Sequence, residues 1–97
     1  MKTKDPNHLI EKVKAALPHL TEEEIMLCEK DCMALATVCA MNGLMNSAWQ
    51  QMKIIEGLCL TELRNRKADM VALCKIQANA ETKDAVWTKI ETINWET

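Results

Sequence analysis

Apolar positions recur along this chain at spacings of three and four, the period of an amphipathic helix rather than of a strand. Leu9, Ile10, Val13, Ala16 and Leu17 form the first such stripe. Asp5-Pro6 ahead of it is a helix opening, an N-cap side chain followed by proline at the first helical position. Pro18 stops the helix. Ile25, Cys28, Cys32, Leu35 and Cys39 trace a second stripe, with Met26, Met33 and Ala40 in a row beside it. Thr21-x-x-Glu24 opens that helix as a capping box, and Leu20 with Ile25 forms the hydrophobic staple. Between Cys32 and Met41 only Thr37 is polar, a pattern that predicts a central helix buried on nearly every side. Gly43 supplies the left-handed residue at its end, with Leu44 as the usual apolar contact.

Ser47-x-x-Gln50 reads as a second capping box. Trp49, Met52, Ile55, Leu58, Cys59 and Leu63 follow as a third stripe. The cationic run Arg64-Asn65-Arg66-Lys67 suits a helix C-terminus, and Asp69 is the next N-cap. Met70, Val71, Leu73, Cys74 and Ile76 carry a fourth segment, which thins through residues 77–82. Val86, Trp87, Ile90, Ile93 and Trp95 carry the last. The expected architecture is an all-α bundle of four to five helices, at about 6–17, 21–41, 47–65, 69–80 and 82–95, the last able to run on as one. Proline is absent after Pro18 and the chain has 2 glycines, so little punctuates these helices.

A chain of 97 residues makes one domain, 1–97, with a modest core. The net charge of −2 argues against bulk attraction to nucleic acid or an anionic membrane. Charge falls in patches: basic before residue 20, acidic from Glu22 to Asp31, basic around Arg64, Arg66 and Lys67, and acidic near the end. Such patches solvate helices and can also orient a partner. There is no apolar run of about 20 residues to span a bilayer and no signal-like segment. The 5 cysteines, an odd number in apolar contexts, read as reduced thiols of a cytoplasmic protein.

Three kinds of chemistry are worth weighing. Glu22, Glu23 and Glu24 sit where a helix dipole favours negative charge and need no catalytic role. The two histidines, His8 and His19, have no polar constellation around them, so no enzyme and no cofactor are expected. Cys28, Cys32 and Cys39 lie along one helix face, and with Met26, Met33 and Met52 they offer soft ligands for Cu(I). This C-x-x-x-C helix resembles those of copper-storage bundles, which line their interior with many such pairs; here there is one. The usual two-residue zinc spacing is missing.

The Gly-containing turn between the second and third helices has the layout of a helix-turn-helix, in which Asn46, Gln50, Gln51 and Lys53 would meet DNA. The acidic chain and the poor turn spacing weigh against it. The favoured reading is a small helical protein–protein interaction module, such as an inhibitor, adaptor or assembly factor, acting as a homodimer or larger. Its partner-facing residues are then Trp49, Arg64, Arg66, Lys67, Trp87 and Trp95, the types enriched in interfaces. A helix spanning residues 46–80 could pair with its symmetry mate.

Overall fold

The computed structural model describes residues 7–92. It contains α1 (Asn7–Ala16), a 3-10 turn (Leu17–His19), α2 (Glu22–Met41), α3 (Ser47–Asn65), α4 (Met70–Cys74) and α5 (Ala80–Thr92). The protein is an all-α small helical bundle, with no strand among the described residues. The Asp5-Pro6 opening and the predicted end of the last helix, with Ile93 and Trp95, lie outside those residues.

Local chemistry sets most boundaries. At Thr21 the capping box is complete: the hydroxyl accepts from the Glu24 amide at 3.1 Å, and the Thr21 amide donates to Glu24 Oε1 at 2.8 Å. The end of α2 is a Schellman motif. Leu44 N donates to Cys39 O at 2.7 Å and Gly43 N to Ala40 O at 3.0 Å, with Gly43 at φ 72. The same motif ends α3, through Ala68 N to Leu63 O and Lys67 N to Arg64 O. There the left-handed position is held by Lys67, at φ 56, without glycine's freedom. Asp69 caps α4 through the Ala72 amide at 3.1 Å.

The third helix has its predicted bounds, but one cap and one boundary are corrected. The third helix is capped by Asn46 and not by Ser47, which is its first helical residue. Asn46 Oδ1 accepts from the amides of Ala48 and Trp49, two and three residues on, at 3.1 and 3.3 Å. The fourth helix ends at Cys74 instead of near residue 80, and the fifth starts at Ala80. The cause is Asn79. Its side chain accepts from the Thr82 amide at 2.9 Å, while its own amide donates to Thr82 Oγ1 at 3.1 Å. That reciprocal cap fixes a helix start and draws Asn79 out of any continuing helix. With turns at 66–69 and 75–79 the helix over 46–80 does not form, and no pairing along it is available.

The core gathers Ile10, Val13, Ala16, Leu17 and Leu20 with Ile25, Met26, Cys28 and Cys32 of α2, Ile55, Cys59 and Leu63 of α3, Leu73 of α4, and Val86 and Ile90 of α5. All of its α2 members lie between Ile25 and Cys32. α5, of 13 residues, packs there against α2, of 20, and α1, of 10, packs on α3 and α5. At 1.5 Å per residue they are about half to two-thirds as long as α2. The second half of α2 therefore meets α3 on one side and solvent on the others, and the expectation of a helix buried nearly all round is overturned beyond Cys32.

Candidate functional site

α2 and α3 run antiparallel. Glu29 faces Glu56, and further along Met33, Thr37 and Ala40 share a groove with Lys53 and Trp49. Side-by-side packing over this length differs from the steep crossing of a DNA-reading helix pair. No Asp, Glu, Lys or Arg occurs in residues 32–52, so the far end of this hairpin is charge-free. Its large apolar side chains are nevertheless in solvent. Met41 is 80% exposed, Met45 57%, Val38 and Leu44 54%, Leu35 46% and Met33 43%. Single apolar residues are normal on a surface, whereas six large ones within residues 33–45 make this stretch the candidate site.

One flank of the hairpin is a groove of about 380 Å³, lined by Met33, Ala36, Thr37, Ala40, Met41, Trp49 and Lys53. Lys53 Nζ pairs with Glu56 Oε1 at 2.9 Å. Beside them lies Glu29, only 5% exposed. Burial, followed by the repulsion of Glu56, pushes its carboxyl above the usual carboxylate range, and the Lys30 and Lys53 charges offset this only in part.

The other half of the molecule carries its charge inward. Lys89 of α5 bonds both carboxylate oxygens of Glu24, at 2.9 and 3.0 Å. Burial opposes the charged form of Glu24, but the bonds from Lys89 and from the Thr21 amide outweigh it and leave the carboxyl below its ordinary value. Asp31 receives Trp87 Nε1 at 2.7 Å and Lys83 at 3.3 Å. Lys12 of α1 pairs with Glu91 of α5. The acidic first half of α2 thus meets the lysines of α5.

The six residues expected to face a partner are not brought together. Trp49 is half-buried beside the groove. Trp87 is half-buried against Asp31. Arg64 and Lys67 are exposed near the end of α3. Arg66 turns inward: Nε donates to Glu62 at 2.8 Å, Nη1 to Leu20 O at 2.9 Å and Nη2 to Leu17 O at 2.7 Å. Trp95 lies outside the described residues. Of the residues considered for DNA, Asn46 is used as a cap, Lys53 pairs with Glu56, Gln50 is exposed and Gln51 half-buried.

The thiols divide by depth. Cys28, Cys32 and Cys59 are at most 1% exposed, Cys39 is half-buried, and Cys74 is exposed. Hydrogen bonding with the Cys32 and Cys59 thiols, and then burial, hold the Cys28 thiol far above its ordinary pKa and keep it protonated. Among the described residues no group of three or more His, Cys, Asp and Glu side chains is placed to hold a metal ion. Among the described residues no helix is long and apolar enough to cross a membrane.

Comparison with protein-family models, curated proteins and solved structures finds no match. The surface that stands out, at Leu35, Val38, Met41, Leu44 and Met45, was not among the residues the sequence pattern singled out. Its signal was nonetheless present: a run without charge, longer than the flanking helices can cover.

Proposed function

We propose that this is a small protein–protein interaction module without catalytic activity, and that it binds through the charge-free end of the α2–α3 hairpin. The observation that carries this reading is the cluster of Met, Leu and Val side chains left in solvent between Met33 and Met45. Methionine repacks readily against different shapes and is enriched in interfaces, as is tryptophan. Trp49 at the groove supplies the bulky anchor that interfaces favour. In the same region the residues 32–52 hold no carboxylate, histidine, lysine or arginine to serve as acid, base or phosphate ligand. The unpaired thiols suit a cytoplasmic setting.

The test uses three immobilised forms of the full chain: wild type, Met41→Glu at the hairpin end, and Val71→Glu on the exposed face of α4. A protein retained by wild type and by Val71→Glu, and released by Met41→Glu, supports the reading. Retention that is indifferent to Met41→Glu refutes it.

A further inference from the structure

We propose that the occupant of the hairpin end is a second copy of this chain, the two hairpins meeting about a two-fold axis to form a four-helix contact. This deepens the reading above and rests on it.

Charge is the first argument. In a two-fold contact the same patch meets itself, so any net charge on it meets like charge at the axis. Residues 32–52 contain none, and Lys53, which lines the groove, is paired with Glu56 of its own copy. The patch is self-complementary, while a charged partner would find nothing there to recognise. Area is the second argument. Met33, Leu35, Val38, Met41, Leu44 and Met45 are each 43–80% exposed. Leu35 lies about 200° round the helix from Met33, so a single contact takes in the other five, which offer on the order of 500 Å² of the roughly 800 Å² that each partner brings to a stable interface. The groove beside Met41 and Trp49 makes up much of the rest by receiving apolar side chains of the other copy. Its volume of about 380 Å³ is ample for one or two of them.

The experiment is sedimentation velocity on the full chain from about 1 to 100 µM, a range that spans micromolar association. Wild type is expected to reach twice its 11.0 kDa mass. Met41→Glu and Val38→Glu, at sites 80% and 54% exposed, are expected to remain at the monomer mass with an unchanged helical circular dichroism spectrum. Val71→Glu is expected to dimerise as wild type does. A wild-type chain that stays monomeric throughout overturns the proposal, and capture by the hairpin end then decides the wider reading by itself. A dimer that survives both hairpin substitutions, or is lost in Val71→Glu, overturns it too.

Discussion

Replacing Arg66 with alanine should be among the most damaging single changes on the surface of this protein. Its guanidinium ties the last turn of α3 to the segment joining α1 and α2, through the carbonyls of Leu17 and Leu20 at 2.7 and 2.9 Å. The Leu17 carbonyl closes the 3-10 turn and the Leu20 carbonyl follows it, where helical partners run out. A hydrogen bond to a charged group contributes about 1.5–3 kcal/mol. The Arg66 side chain keeps 25% of its surface in water, so the lower figure applies and the pair contributes about 3 kcal/mol. The Glu62 contact, a partly exposed i,i+4 pair, adds about 0.3 kcal/mol. A domain of this length is stable by only about 5–15 kcal/mol. With a urea slope of about 1–2 kcal/mol/M, Arg66→Ala should lower the unfolding midpoint by more than about 1 M, followed by circular dichroism. Arg66→Lys should recover less than half of this, because one ammonium does not span two carbonyls as the fork does. Arg64→Ala, at an exposed neighbour, serves as the reference. If Arg66→Ala and Arg64→Ala shift the midpoint equally, the inward bonds do not contribute to stability and the account of Arg66 as an internal tie is wrong.

Other expectations follow from the same contacts. Lys67→Gly relieves the left-handed backbone at the end of α3 and should raise stability by about 0.5–1 kcal/mol; a lower melting temperature would contradict the motif. Glu24 has a lowered carboxyl pKa, so its contribution is present above the ordinary carboxylate value and is lost as pH falls through the folded one. The gap in stability between wild type and Lys89→Ala should therefore narrow on acidification, and a gap constant from pH 7 to about 2.5 would refute the pair. Glu29 is shifted the other way, so its charged form weighs against the fold as pH rises. Glu29→Gln should stabilise at neutral pH and lose that advantage near pH 4; an equal effect at both would show that charge is not the cause. An aromatic disulfide reagent should modify Cys74 quickly in the native protein and Cys28, Cys32 and Cys59 only on unfolding, counted by absorbance. Rapid loss of all the thiols would contradict the buried cluster.

The fold was legible where a short motif specifies a backbone shape. Thr21 with Glu24, Gly43 with Leu44, and Asp69 each act locally, and each forms as its neighbours in sequence require. The end of α4 was harder, because a Thr at the third helical position completes the Asn79 cap less recognisably than Glu does. Burial was the least legible property. The seam of Ile25, Cys28 and Cys32 is inside and its continuation through Leu35 is outside, although the pattern does not change between them. What changes is the supply of covering helices, a property of the whole chain. Arg66 misleads for a related reason: a cation near a helix end reads as solvated, and only the return of the Leu17–His19 turn places two carbonyls within its reach.

The separation of the two kinds of surface gives salt an unequal hold on the molecule. The α5 attachments at Glu24, Asp31 and Glu91 run through partly exposed ion pairs, which dissolved ions screen over about 8–10 Å at physiological strength. The neutral α2–α3 end offers such ions no charge to shield. Concentrated chloride would loosen α5 while leaving the exposed apolar end of the hairpin as it is, so the two halves of the molecule answer to different solvents.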